Sequence, residues 1–192
     1  MLYLILGLVL FLGLHSVRIV AEDWRTRSIE RVGASTWKAV YSLLSLLGFG
    51  LIVWGFSVAR GQPVQLWSPP RGMRHLASLL TLLSFVLLAA AYIPGNAIKA
   101  KLHHPMVLSV KVWALAHLLA NGNLAHTVLF GAFLVWSVFN FAAARRRDRR
   151  GAILYAPGHV APTVLTVLVG ALAWAAFAIW LHGWLIGIRP IG

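Results

Sequence analysis

Long runs without Asp, Glu, Lys or Arg are the feature that most constrains the fold of this chain. They cover residues 1–17, 39–59, 76–98, 112–144 and 160–188. A helix needs about 20 predominantly apolar residues to cross a hydrocarbon core about 30 Å thick. Because each run reaches or approaches that length, the sequence predicts an all-α fold, a polytopic transmembrane helical bundle that forms one domain over residues 1–192.

The composition agrees with a membrane protein and excludes several other classes. Hydrophobic residues make up 60% of the chain, against about 45–50% in soluble domains. The net charge of +13 is compatible with nucleic-acid binding, but the basic residues lie between apolar runs, where membrane topology explains them. The absence of cysteine excludes disulfides and thiolate ligation. We therefore expect the lipid bilayer, and no nucleic acid, as a partner.

The fourth run is too long for one helix and is interrupted by Asn121-Gly122-Asn123, which are turn-forming residues. This break predicts a short helix over about 106–120 and a longer one over about 124–144, and hence about six spans. The first run lacks the basic region of a signal peptide, so we expect it to be retained. Residues 21–37 predict an interfacial helix, and the proline-containing segment 60–74 predicts irregular structure.

The distribution of Lys and Arg predicts the orientation. Of the 17 basic residues, 13 lie in or beside the loops that follow spans 1, 3 and 5, including the run 145–150, which we expect to be a loop. The other 4 lie on the opposite side: Arg60, Arg71, Arg74 and Arg189. Since positive charge marks the cytoplasmic side, both termini are expected outside the cytoplasm.

His15 and His117 lie inside predicted spans, where ionisable side chains usually indicate a functional site. At 1.5 Å per residue, His15 lies about 10 Å above the cytoplasmic face and His117 about 16 Å above it. Two imidazoles that ligate both faces of a haem need similar depths, so we predict this pair as metal ligands, with His104 and His182 as alternates. Five histidines are interpreted as ordinary interfacial residues, one of them also an alternate ligand: His75, His103, His126, His159 and His182.

Four neighbours of these histidines complete the predicted cofactor site. Arg18 and Lys111 are basic residues that could pair with haem propionates, although each could instead only set topology. Trp113 and Asn121 lie one helical turn before and after His117, where Trp113 could line a pocket or simply pack. Zinc is less favoured, since no span offers the close set of three ligands that catalytic zinc sites use.

Several segments of the chain resemble the NnrU family of bacterial integral membrane proteins. They are HSVR at 15–18, WKAVYS at 37–42, HPM at 104–106, KVWALAHLLANG at 111–122, LFG at 129–131, WLHG at 180–183 and LIG at 185–187. The resemblance covers nearly the whole chain. It implies a bacterial inner-membrane protein associated with nitrite and nitric oxide reduction.

That family is similar to 15-cis-zeta-carotene isomerase, a haem b membrane enzyme whose two functional histidines match His15 and His117 by motif. The resemblance therefore implies haem b and a redox, haem-handling or sensing role, alongside a redox partner. A haem-dependent isomerase of a polyene and a cofactor-free membrane assembly factor are the alternatives. The isomerase carries a cysteine three residues before its second histidine; this chain has Ala114 there.

Overall fold

The computed structural model describes residues 1–190, and helices form most of it. They are α1 Leu2–Val20, α2 Glu22–Val32, α3 Ala34–Arg60, α4 Gly72–Tyr92, α5 Ala97–Leu102, α6 Pro105–Ala120, α7 Leu124–Arg150, α8 Val160–Ala176 and α9 His182–Ile186, with a π-helical segment, Phe177–Leu181, between the last two. Five helical stretches are long and apolar enough to cross a membrane: α1, α3, α4, α7 and the continuous stretch Val160–Ile186. The apolar helix α6 is shorter. The predicted all-α bundle is therefore confirmed.

The break in the fourth apolar run lies where the sequence predicts it. Helix α6 ends at Ala120, and α7 begins at Leu124 after Asn123, whose side chain accepts a hydrogen bond from the His126 amide. Asparagine is a favoured N-cap because its short side chain satisfies a free amide of the first turn. The predicted interfacial helix is α2, and residues 61–71 are irregular apart from an isolated bridge.

The prediction of a loop over the arginine run was wrong, because α7 continues through Arg150. Arginine is a good helix former, and its positive charge is favourable at the negative end of the helix dipole. The sequence also did not predict α5, which begins after Asn96; the Asn96 side chain accepts from the Lys99 amide over 2.7 Å.

Helix neighbours define how the bundle is arranged. Helix α1 packs against α3 and α7, α7 packs against α6, and α4 packs against both α6 and α8. Among residues 1–190, α1 and α6 make no direct backbone contact, because α7 lies between them. The buried core therefore forms where α1, α3, α6 and α7 meet, and it consists of Leu4, Leu8, Leu12, Ile52, Ala114, Leu129 and Phe130.

The basic segments meet at one end of the bundle. The Arg147 guanidinium donates to the Arg18 carbonyl over 3.1 Å, which joins the end of α7 to the end of α1. Arg60 lies at the other end, where it donates to the Ile186 carbonyl over 2.8 Å. The separation of charge between the two ends agrees with the predicted topology. Which end faces the cytoplasm stays a prediction.

Candidate cofactor cavity

A cavity of about 860 Å³ opens at the basic end of the bundle, within the range of about 300–1,000 Å³ typical of ligand pockets. Helices α1 to α7 all contribute to its wall, together with the α5–α6 junction. Its apolar lining includes Leu14, Val17, Met106, Val107, Val110, Trp136 and Ala144. This lining would suit a ligand whose body is mostly apolar and which carries a polar group at one end.

Charge in the cavity wall is strongly unbalanced. Five basic side chains line it, Arg18, Arg25, Lys38, Lys99 and Arg147, against one carboxylate, Asp148. Anions are attracted to a partly desolvated cleft lined by one sign of charge. The wall therefore suits a ligand with carboxylate or phosphate groups. Sequence reasoning selected only Arg18 from this set, since the other four were interpreted as topology charges and come from separate helices.

His15 contributes an imidazole to the cavity wall in a form that can ligate a metal. Its Nδ1 lies 2.7 Å from the Phe11 carbonyl and donates to it, which leaves the Nε2 lone pair available. Such a hydrogen bond commonly orients metal-ligating histidines. The ring stacks on Phe11 at 4.2 Å and lies 5.3 Å from the Tyr41 ring, so its orientation is constrained.

His117 has the same local geometry but does not line this cavity. Its Nδ1 donates to the Trp113 carbonyl over 2.9 Å, and its ring stacks on Phe130 at 4.5 Å. The Phe133 ring lies 6.0 Å from Phe11, which stacks on His15, and 5.6 Å from Trp113, which lies 5.2 Å from His117. The structure therefore does not bring His15 and His117 into one cavity, and their joint ligation of a haem stays a prediction.

The alternate ligand His104 lines the cavity, but its Nε2 is already engaged. It donates to the Asp148 carboxylate over 2.7 Å, and the Tyr155 hydroxyl donates to the same oxygen over 3.2 Å. Burial and this hydrogen bond raise the pKa of Tyr155, so its phenol stays protonated and acts as a donor. The other alternate, His182, donates to the Ile188 carbonyl over 2.6 Å and does not line the cavity.

His103 is a site residue that sequence reasoning missed. We interpreted it as an ordinary interfacial histidine, but it lines the cavity and stacks on Tyr155 at 3.9 Å. Arg145 donates to its Nδ1. Its positive φ of 69° places it at a sharp turn between α5 and α6. The proline two residues later was the available signal that a helix begins there.

The remaining predicted site residues lie outside the cavity wall. Trp113 packs in the core against Phe130 at 4.9 Å, which favours the packing interpretation. The Asn121 amide donates to the His117 carbonyl over 2.9 Å and so ends α6. Lys111 is half-buried on α6 and does not line the cavity. None of these three is placed beside His15.

The residues around His15 fit a haem better than a simple metal ion. Within residues 1–190, no group of three or more His, Cys, Asp or Glu side chains could hold a metal ion, whereas a haem needs only one or two axial ligands. The buried Nε1–H of Trp136, on the cavity wall, has no hydrogen-bond partner among the described residues. A ligand acceptor would satisfy it.

Membrane-length helices around a basic cavity at one end are the architecture of a multi-pass membrane protein. The chain belongs to the NnrU family, since the family described as NnrU protein matches residues 3–190, which is nearly the whole chain. No curated protein and no solved structure matches the chain.

Proposed function

We propose that this NnrU-family protein binds haem b in the basic cavity, with His15 as an axial ligand. The observation that carries the proposal is the position of His15 in that wall, with Nδ1 held by the Phe11 carbonyl and Nε2 available to ligate. The apolar lining suits the macrocycle. The propionates would be neutralised by the cavity cations, because an unpaired anion in low dielectric is very costly.

His117 is the proposed second axial ligand, as the resemblance to the carotene isomerase implies. His15 lines the cavity and His117 does not, so this ligand set requires a rearrangement that opens the cavity to His117. Ligation by His15 alone would leave one axial position of the iron open. Bound haem would supply an iron centre able to change oxidation state or bind a small molecule.

The role that we propose is redox, haem-handling or sensing in nitrite and nitric oxide reduction, in a bacterial inner membrane with both termini periplasmic. This role rests on the family resemblance, and a redox partner is part of the same proposal. No observation favours the polyene isomerase, and a mechanism that uses a thiolate is not open to this chain, since the buried Ala114 stands where the isomerase has its cysteine.

Absorbance spectroscopy of the purified protein tests the proposal. We expect wild-type protein to carry haem b, identified as its pyridine haemochrome, with oxidised and reduced spectra of a histidine-ligated iron. His15→Ala should lose most of the haem. A change from low-spin to high-spin haem in His117→Ala would identify His117 as the second ligand, and an unchanged spectrum would leave His15 as the one protein ligand.

Matched histidine variants control for general effects of substitution. His75→Ala, His126→Ala and His159→Ala should keep the wild-type spectrum, because these histidines do not line the cavity. Wild-type haem content in His15→Ala would overturn the proposal. Loss of haem in His104→Ala, with the spectrum of His15→Ala unchanged, would instead assign ligation to His104.

A further inference from the structure

Helix α2 lies over the basic cavity without being packed into the bundle. Arg25 on α2 lines the cavity, yet none of the α2 residues is buried. The helix is joined to α3 through Gly33, whose φ of 85° is a conformation that mainly glycine adopts. No atom lies within 4 Å of the position that a Cβ on Gly33 would take. The connection between α2 and α3 therefore has free space around it and a backbone that can change conformation.

Few and exposed contacts hold α2 in place. Glu22 pairs with Arg18 of α1 at 3.3 Å, and the Trp24 ring meets the edge of Trp37 of α3 at 5.7 Å, while the Glu22–Arg25 pair at 3.4 Å lies within α2 itself. Ion pairs near water contribute little to stability. Segments with few buried apolar contacts are the ones that open most readily. We therefore expect α2 to open more readily than the helices of the bundle.

An apolar groove of about 140 Å³ lies beneath α2, and we call it the slot. It is lined by Leu14, Val17, Trp24, Trp37, Val40, Tyr41 and Leu44. Four of these residues also line the basic cavity: Leu14, Val17, Trp37 and Tyr41. The slot is thus an apolar continuation of the cavity between α1 and α3.

Glycines bring α1 and α3 into close approach away from the slot. A Cβ on Gly7 would lie 2.6 Å from the Ile52 amide nitrogen, and one on Gly48 would lie 2.9 Å from that of Phe11. Such contacts mark backbones in close approach, as small residues allow in membrane helices. The slot lies beyond them, from residue 14 onward on α1. A Cβ on Gly13, next to the slot, would meet nothing within 4 Å, so the close approach is not continued there.

We propose that α2 is a hinged lid and that the slot is a lateral port, through which haem passes between the cavity and the adjoining membrane leaflet. The inference rests on the proposed haem function. Haem is amphiphilic, so its apolar macrocycle could pass between the tryptophans while its carboxylates reach the cavity cations. A port toward lipid keeps the macrocycle out of water along the whole route.

Reversible cross-linking tests the lid, since the natural chain has no cysteine to interfere. In a Trp24→Cys, Trp37→Cys double variant, a short bis-methanethiosulfonate reagent would fix α2 to α3. We expect haem transfer to excess apomyoglobin or to haem-free liposomes to slow at least about tenfold, and to recover when reductant cleaves the link. Equal rates of haem transfer before and after cleavage would contradict the proposal that α2 is a lid.

A matched pair of tryptophan variants tests the port without cross-linking. Trp24 and Trp54 are both 52% exposed, but Trp54 stacks on Tyr3 at the opposite end of the α1–α3 pair. Trp24→Ala should release haem several-fold faster than wild type, and Trp54→Ala should not. Equal release from both variants would overturn the port while leaving the haem site intact. If purified wild-type protein carried no haem, both the proposed haem site and the proposed lid would be contradicted.

Discussion

At the residue scale, local helix geometry decides which nitrogen of each intramembrane histidine can bind a metal. His15 and His117 both donate Nδ1–H to the carbonyl four residues earlier. For these two histidines the bond joins residues one helical turn apart, whereas His182, also inside a predicted span, donates instead to the Ile188 carbonyl. His104 differs because Asp148, which is 44 residues away, engages its Nε2. No local pattern could predict that pairing.

Asp148 is expected to stabilise the basic end of the bundle. Its side chain is 15% exposed and accepts from His104 and Tyr155, with Arg145 at 3.8 Å. Asp148→Asn should lower the free energy of unfolding by about 1–2 kcal/mol, since hydrogen bonds to charged groups are stronger than those between neutral groups. Thermal unfolding in detergent would measure the change.

Glu30→Gln is the matched control for this charge removal, because Glu30 is an exposed acid on α2. It should leave the unfolding temperature nearly unchanged. Equal unfolding temperatures for Asp148→Asn and wild type would show that the cluster around Asp148 contributes no net stability.

At the element scale, the helices follow the sequence pattern, while their contacts depend on small residues. Turn-forming and capping residues fix where α6 begins and ends, and the sequence shows these residues directly. The close approach of α1 to α3 is not readable in the same way. Glycines on α3 include two at the interface, Gly48 and Gly55, and one facing open space, Gly50. Only the tertiary structure shows which of these glycines lie at the interface.

Gly55→Ala and Gly50→Ala form a matched test of the α1–α3 contact. A Cβ on Gly55 would overlap the Leu4 backbone, whereas one on Gly50 meets nothing within 4 Å. Gly55→Ala should destabilise the protein by about 1–3 kcal/mol through overpacking. Gly50→Ala should be neutral, or stabilising by about 0.5–1 kcal/mol through helix propensity. Unfolding titrations that rank the two variants equally would contradict the contact.

At the scale of the whole molecule, apolar side chains form the surface that faces lipid, and basic side chains gather at the cavity end. The apolar helices expose many large apolar side chains, as expected for surfaces that face lipid. The basic segments meet at the cavity end, whereas 4 of the 17 basic residues lie toward the other end. The charges that set topology therefore also supply the cavity wall.

Reporter fusions test the orientation. A fusion at Gly151, directly after the arginine run, should report a cytoplasmic location, because the run carries the strongest positive charge. A fusion at Gly192, which lies outside the described residues, should report the opposite side. A cytoplasmic reporter at Gly192 would reverse the orientation, and the cavity would then open to the periplasm.

The sequence by itself determined the long apolar helices and the break at Asn121-Gly122-Asn123, and it selected His15 as a candidate ligand, because hydrophobic length, turn chemistry and capping act over a few residues. Depth along a helix was also readable, at about 1.5 Å per residue. Lateral position was not, since it depends on which helices pack together. Only the tertiary structure placed α7 between His15 and His117 and gathered cations from separate helices around one cavity.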